Sequence, residues 1–153
     1  MEPVPNGTYM ITRTREELLT LEGGSSEPKS PVVVLPPTGN PGEQEWQVEQ
    51  LGNGTCTLRN LRSETYLSFD GAPEVNKQVV GYPEPRPWAL RQSARPQAFH
   101  VVVPGGPVDG EELALDLSVL DIFPPRVALR PLAVNDQDQG QDQDQAWTFQ
   151  LME

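Results

Sequence analysis

The chain has 153 residues, of which 36% are hydrophobic and 22% charged, and its formal net charge is −11 at pH 7. This length suits one domain with a single core. The acidic balance argues against nucleic acid and against anionic membrane surfaces as partners, since both require clustered cations.

The cysteine content and the first residues restrict the cellular setting. A lone cysteine, Cys56, excludes an internal disulfide and indicates a reducing compartment or indifference to redox conditions. The segment Met1 to Pro5 lacks the cationic and apolar parts of a signal peptide, and no stretch approaches the ~18 apolar residues of a membrane span. We therefore expect a cytoplasmic protein that does not bind membranes.

The predicted elements are short, because Gly and Pro make up about a fifth of the chain and divide it into brief alternating segments. The first is a strand that opens at Gly7. Residues 15–21 follow, with a Glu-Glu-Leu-Leu run that can form a helical turn and the strand pattern Leu19-Thr20-Leu21 at their end. A third strand at residues 32–35 precedes a fourth that contains Trp46.

This order of elements occurs three times. Gly7-Thr8-Tyr9 is echoed by Gly54-Thr55-Cys56 and, more loosely, by Gln97-Ala98-Phe99. The second strands, the third strands and the closing tryptophans also correspond. They are Leu19-Thr20-Leu21, Leu67-Ser68-Phe69 and Leu115-Asp116-Leu117, then residues 32–35, 78–80 and 126–129, then Trp46, Trp88 and Trp147, which are all the tryptophans of the chain.

The repeat predicts the fold class. Four strands in each of three copies, at residues 7–53, 54–96 and 97–153, can close on themselves and remove the exposed sheet edges. We predict an all-β chain with a β-trefoil fold, in which three pseudo-symmetric four-stranded repeats close a barrel within a single domain of residues 1–153. A β-sandwich is the weaker alternative.

Catalysis and metal binding lack the residues they need. His100 is the only histidine, and no Gly-x-Ser-x-Gly element accompanies it. Cys56 aligns with Tyr9 and Phe99, which predicts a core position. One histidine and one cysteine cannot build a zinc site, and the Asp/Gln-rich residues 135–145 are interpreted as a solvated loop instead of a calcium site. We predict no enzyme activity, no metal and no cofactor.

Binding is therefore expected to use loops, and the loop at residues 22–31 has the most specific chemistry. Lys29-Ser30 is a bond of the type that trypsin-like proteases cleave, since their specificity pocket carries an acid. Pro28 and Pro31 flank it and restrict the backbone, which favours a pre-organised inhibitory loop. An ordinary exposed loop is the competing interpretation. Arg62-Ser63 is a second candidate without flanking prolines, and residues 103–110 form a further loop.

Several of these motifs resemble a known family. The opening Gly7 to Ile11, Gln44-Glu45-Trp46 and Gln145-Ala146-Trp147 are similar to cospin-type serine protease inhibitors of mushrooms, over essentially the whole chain. The resemblance implies a cytoplasmic, monomeric, defensive inhibitor of trypsin-like proteases. It also implies an inhibitory loop between strands two and three of the first repeat, which corresponds here to Ser25, Ser26, Glu27, Pro28, Lys29 and Ser30, with Lys29 chosen on its chemistry.

Two other kinds of trefoil remain open. The chain resembles, more distantly, the mycocypins, which inhibit papain-like cysteine proteases through other loops, here those at Asn60 and Gly105-Gly106. Ricin-type lectins also carry Gln-x-Trp motifs and place an aromatic residue beside an Asp in shallow pockets. Arg86 in place of Gln in repeat two weakens that alternative. Asp70 near Tyr66, and Asp116 or Asp121 near Phe123, are the candidate pairs.

Overall fold

A computed structural model describes residues 4–14, 16–52, 54–93, 96–105, 112–119, 124–132 and 145–152. These residues form twelve strands and a short 3-10 helix at Glu22–Gly24. The strands are β1 (Gly7–Thr14), β2 (Glu17–Leu21), β3 (Ser30–Leu35), β4 (Trp46–Gln50), β5 (Thr55–Asn60), β6 (Tyr66–Phe69), β7 (Val79–Tyr82), β8 (Trp88–Gln92), β9 (Ala98–Val102), β10 (Leu113–Leu117), β11 (Val127–Pro131) and β12 (Trp147–Leu151).

Six strands close a barrel. β1 pairs with β4, β4 with β5, β5 with β8, β8 with β9, β9 with β12, and β12 returns to β1, all antiparallel. Each repeat therefore contributes its first and last strands to the ring. Closure leaves these strands no free edge, which is the physical advantage that the repeat predicted.

The remaining strands form three hairpins that cover one end of the barrel. They are β2–β3, β6–β7 and β10–β11. The hairpins meet one another where Ser30 pairs with Gly81, Val33 with Arg126, and Gln78 with Ala128. A six-stranded barrel capped by three hairpins in threefold arrangement is a β-trefoil, so the predicted fold class is confirmed.

The three tryptophans hold each closing strand against the second strand of its own repeat. Their side chains are fully buried. The indole N–H groups of Trp46, Trp88 and Trp147 donate to the carbonyls of Leu19, Leu67 and Leu115, at 2.9, 2.9 and 3.0 Å. Each such bond contributes about 0.5–1.5 kcal/mol and also satisfies a polar group that would otherwise be orphaned in the core. The repeated tryptophan is thus a scaffold residue.

The core position predicted for Cys56 is confirmed. Cys56, Tyr9 and Phe99 are 1%, 4% and 3% exposed and belong to one hydrophobic cluster. Burial raises the pKa of the Cys56 thiol to about 12, so the reactive thiolate is absent at neutral pH.

The helical turn anticipated within residues 15–21 is wrong. The segment forms β2, which pairs with β1 on one side and with β3 on the other. Leu18, Leu19 and Leu21 are all buried there, and one helical turn would leave the edge of β3 without its partner.

Within the described residues, no helix is long and apolar enough to cross a membrane. Residues 135–144, most of the Asp/Gln-rich segment, lie outside the described residues.

Candidate functional site

A shallow polar pocket of about 230 Å³ lies at the hairpin of repeat two. The end of β6 and the chain that leaves β7 form its walls. Its lining residues come from two stretches that the hairpin brings side by side: Ser68, Phe69, Asp70 and Gly71, and Tyr82, Glu84, Pro85 and Arg86.

Asp70 lines this pocket beside Tyr82. It directly follows β6, and its side chain is 65% exposed. One carboxylate oxygen accepts a hydrogen bond from the Tyr82 hydroxyl at 3.0 Å, and the other lies 3.3 Å from the Lys29 ammonium. The Tyr82 hydrogen bond and then Lys29 lower the pKa of the Asp70 carboxyl from its usual value. Asp70 is therefore a fixed anion with both oxygens oriented.

The pKa values of the two partners of Asp70 are raised, whereas that of Asp70 is lowered. Desolvation, followed by the hydrogen bond to Asp70, raises the pKa of Tyr82, and the same carboxylate raises the pKa of Lys29. Tyr82 thus remains a hydrogen-bond donor and Lys29 a cation throughout the neutral range.

Arg86 also lines the pocket. Its Nε donates to Ser68 Oγ at 2.9 Å and its Nη2 to the Phe69 carbonyl at 3.2 Å. The guanidinium carbon lies 3.9 Å from the centroid of the Phe69 ring, which is a close cation–π contact. Arg86 is therefore held on three sides and presents a positioned cation to the pocket.

Arg86 also replaces a scaffold glutamine. In repeats one and three, Gln44 Nε2 donates to Thr20 Oγ1 at 3.1 Å and Gln145 Nε2 to Asp116 Oδ2 at 3.2 Å. Thr20, Ser68 and Asp116 occupy the same place in their repeats. The Gln of Gln-x-Trp is thus a buried structural donor, and its replacement by Arg86 does not argue against a binding pocket.

Both lysines of the chain lie beside Asp70. Lys29 is its ion-pair partner, and Lys77 acts on the same carboxylate electrostatically and comes within 3.9 Å of a Cβ placed on Gly71. Lys77 also lies 3.5 Å from Glu74. In a chain of net charge −11, this grouping makes the rim of the pocket far less acidic than the chain as a whole.

The predicted inhibitory loop lies against this pocket. Ser25, Ser26, Glu27 and Pro28 connect the 3-10 helix to β3, whereas Ser30 is already in β3 and buried. Ser30 Oγ donates to the Glu27 carbonyl at 2.7 Å and lies 2.8 Å from Ser25 Oγ. The turn is therefore held from inside, as its prolines suggested.

Lys29 has two constraints in that turn. Its φ is +68°, in the left-handed region, and its N–H donates to the Gly81 carbonyl at 2.8 Å. Its side chain is 62% exposed but points to Asp70. To enter a protease cleft, the side chain has to leave Asp70.

The second candidate bond, Arg62-Ser63, lies in a tight turn after β5. The buried Asn60 side chain accepts from the N–H groups of Arg62 and Ser63 at 3.2 and 3.1 Å. Arg62 is exposed, whereas Ser63 is buried. A Cβ on Gly24 would meet Arg62 Cγ at 2.5 Å, so the two predicted loops touch although they belong to different repeats.

The Asp and aromatic residues expected for a lectin pocket are placed differently from one repeat to the next. The aromatic residue that is hydrogen-bonded to Asp70 is Tyr82. Tyr82 pairs across the hairpin with Tyr66, the residue that the sequence analysis placed near Asp70. Asp116 is occupied by Gln145 and by the Leu117 N–H. Asp121 and Phe123 lie outside the described residues. Tyr82 and Arg86 were missed as pocket residues, and only the hairpin register could have identified Tyr82.

No cluster of metal-ligating side chains is present among the described residues. His100 is buried in β9, at 4% exposure. The arrangement at Asp70 offers acceptors, a hydroxyl, an aromatic ring and a fixed cation, which suit reversible binding of a polar ligand.

Comparisons with known proteins find similar structures only. No family model matches the chain, and no curated protein matches it in sequence. The Rhizoctonia solani agglutinin is 21% identical, with a TM-score of 0.78 and 97% of each chain covered. The ricin B-like lectin of Macrolepiota procera, solved in complex with lactose, is 25% identical, with a TM-score of 0.75 over 97% of this chain and 99% of the lectin.

A designed protein gives the same architecture. ThreeFoil, a designed threefold-symmetric protein, is 17% identical, with a TM-score of 0.77 over 95% of this chain and 99% of its own. Fungal β-trefoil lectins are thus among the structural neighbours of the chain.

Proposed function

We propose that the chain is a carbohydrate-binding protein that holds a sugar in the repeat-two pocket. The observation that carries the proposal is the hydrogen-bonded pair of Asp70 and Tyr82 at the mouth of a small polar pocket. The role is binding, without a chemical step.

The unused hydrogen-bonding capacity of Asp70 fits sugar hydroxyls. A carboxylate has about four acceptor sites, and Tyr82 and Lys29 use one on each oxygen. The remaining sites can accept from two neighbouring hydroxyls of a sugar ring, and bonds to an ionised acceptor contribute about 1.5–3 kcal/mol each. Tyr82 adds an aromatic surface for the apolar face of the sugar.

The size of the pocket limits the ligand to one sugar unit in direct contact. At about 230 Å³, the pocket lies below the ~300–1,000 Å³ of sites for drug-sized molecules. Such a shallow site binds weakly by itself, so we expect millimolar to micromolar affinity for free sugars.

The Macrolepiota procera lectin supports this choice over protease inhibition. That protein was solved with lactose, and the present chain covers nearly its whole length at 25% identity. Lactose is therefore the first sugar to test, followed by a glycan array that samples other ligands.

The test uses calorimetric titration with lactose and the array in parallel. Asp70→Asn keeps the size of the side chain and removes its charge, and we expect at least about tenfold weaker binding. Glu22→Gln is the matched control, because Glu22 follows β2 as Asp70 follows β6, and it should bind like the parent. Binding that survives Asp70→Asn unchanged refutes the site, and absence of any glycan ligand refutes the function.

Inhibition of a trypsin-like protease is a second candidate, favoured by the internally bonded turn and by the exposure of Lys29. Two features weigh against it: the left-handed backbone at Lys29 and its N–H bond to Gly81. A segment that adds to a partner's sheet needs an extended backbone with free N–H groups.

A titration of trypsin, with papain in parallel, distinguishes inhibition of serine proteases from inhibition of cysteine proteases. Stoichiometric inhibition of trypsin that Lys29→Ala abolishes supports the second candidate and its loop. Inhibition that persists moves the site to Ser26, Glu27 or Arg62, and inhibition of papain alone favours the cysteine protease alternative. If trypsin and papain both stay fully active in the presence of excess protein, protease inhibition is excluded as the function.

A further inference from the structure

A second, larger cavity of about 460 Å³ lies between β1, β9 and β12, where repeats one and three meet. Apolar side chains from the first and last strands and from the chain before β1 surround it. Its apolar lining is Val4, Pro5, Tyr9, Phe99, Phe149 and Leu151, and Pro96, Gln92 and Gln97 complete the wall.

Three aromatic rings in fixed geometry form one side of this cavity. Tyr9 and Phe149 meet edge to face, with ring centroids 5.9 Å apart and planes at 67°. Phe99 and Phe149 do the same at 5.6 Å and 90°. The Tyr9 hydroxyl donates to the Pro5 carbonyl at 2.8 Å, which orients that ring. The three side chains are only 3–4% exposed, so they form an apolar floor against which a flat aromatic guest can pack.

The pseudo-threefold symmetry shows that this cluster is particular to one junction. At the junction of repeats one and two, the corresponding residues are Cys56, Val48 and the shared Tyr9. At the junction of repeats two and three, Leu90 corresponds to Phe149, between Phe99 and Cys56. Aromatic residues at all three positions occur only where β12 meets β1, among the described residues.

The charge of the lining residues further restricts which ligands the cavity can bind. None of the lining residues that the structure describes is charged, although 22% of the chain is. A charged guest would lose its hydration with no opposite charge to replace it. The polar part of the lining consists of neutral amides, and the Gln92 amide nitrogen already donates to the Ser93 and Ala98 carbonyls.

We propose that this cavity binds an uncharged, flat, mainly aromatic small molecule. Its volume lies within the ~300–1,000 Å³ of small-molecule sites. The nine described lining residues are far fewer than the ~20–30 that each partner contributes to a stable protein interface, so the proposal is restricted to a small molecule. The site is separate from the sugar pocket and shares no lining residue with it.

The test uses two fluorescent probes of nearly equal shape. Phenylnaphthylamine is uncharged and brightens in apolar surroundings, and anilinonaphthalene sulfonate adds one negative charge. We expect the uncharged probe to bind one-to-one and the sulfonate to bind at least about tenfold more weakly. Equal binding, preference for the sulfonate, or no binding of either probe overturns the proposal.

A matched pair of variants locates the site. Leu151 lines the cavity and is 55% exposed, and Leu51 lies outside it at 46% exposure. Leu151→Asp should weaken the uncharged probe at least about tenfold, and Leu51→Asp should leave it within about twofold. Both positions are at the surface, so circular dichroism should report folded variants.

Nuclear magnetic resonance gives an independent readout on the parent chain. The probe should shift the ring protons of Tyr9, Phe99 and Phe149 and leave Asp70 and Tyr82 unaffected. Shifts confined to other residues, or equal weakening by Leu151→Asp and Leu51→Asp, overturn the assignment. Because Asp70→Asn should not change probe binding, this result is independent of the fate of the sugar site.

Discussion

Replacing Arg86 by Gln is the sharpest test of how the sugar pocket was built on the trefoil scaffold. Gln44 and Gln145 show that Gln at this place reaches the second strand of its repeat. Arg86→Gln should therefore keep the bond to Ser68 and lose the cation–π contact with Phe69. That contact is worth about 0.5–2 kcal/mol, so we expect a free energy of unfolding about 1 kcal/mol lower.

Arg86→Ala should be more damaging. Both variants lose the bond to the Phe69 carbonyl, which still accepts from the Ser68 hydroxyl at 3.5 Å. Arg86→Ala removes the same cation–π contact and in addition leaves the buried Ser68 hydroxyl without its Arg86 donor. An unsatisfied buried group costs about 1–3 kcal/mol, so the total loss should be about 3 kcal/mol. For a domain of this size, the two variants should melt about 3 °C and about 9 °C below the parent.

Urea unfolding followed by circular dichroism measures the difference directly. Arg59→Gln is the control, since Arg59 has only a 3.5 Å ion pair with the exposed Glu64, and it should stay within about 0.5 kcal/mol of the parent. Equal losses in Arg86→Gln and Arg86→Ala would refute the idea that Arg86 performs the structural task of the glutamines.

Two further predictions concern titratable groups. Tyr82 and Lys29 lower the pKa of the Asp70 carboxyl from its usual value. If the anion binds the sugar, affinity should therefore stay constant from pH 7 down through the usual titration range of a carboxyl and fall only at lower pH. Tyr82→Phe and Lys29→Ala remove these causes and should move the fall to higher pH in calorimetric titrations, and an unchanged profile would contradict the role of the anion. Cys56, with its pKa raised to about 12 by burial, should resist maleimide at pH 7.5 until the chain is unfolded, and rapid labelling of the folded chain would contradict its core position.

The fold was predictable because its determinants are local and repeated. The three Leu-x-Leu/Phe patterns and the three tryptophans mark the strands of each repeat. Each indole is buried and donates to the carbonyl of an equivalent leucine, which restricts how the strands of a repeat can pack. The error at residues 15–21 has the opposite origin. Local helix propensity in Glu-Glu-Leu-Leu was overridden by pairing on both sides of β2.

The candidate site was only half visible in the sequence. The sequence pairs Asp70 with Tyr66, whereas the hydrogen bond comes from Tyr82, which only the β6–β7 register places opposite Tyr66. Lys29 was chosen for its own bond with Ser30, and its contact with Asp70, far along the chain, could not be foreseen. In the sequence, Arg86 is visible only as a departure from the Gln-x-Trp motif, and its bonds to Ser68 and Phe69 appear only in the structure.

The sequence by itself determined the strand order, the threefold repeat and the buried tryptophans, since these depend on patterns that neighbouring residues carry. Only the tertiary structure decided which polar residues meet. The Asp70 pocket, its contact with the repeat-one turn, and the aromatic cavity between repeats one and three all lie where strands distant in the chain are brought together. Closing the barrel fixes those distances, and no local pattern encodes them.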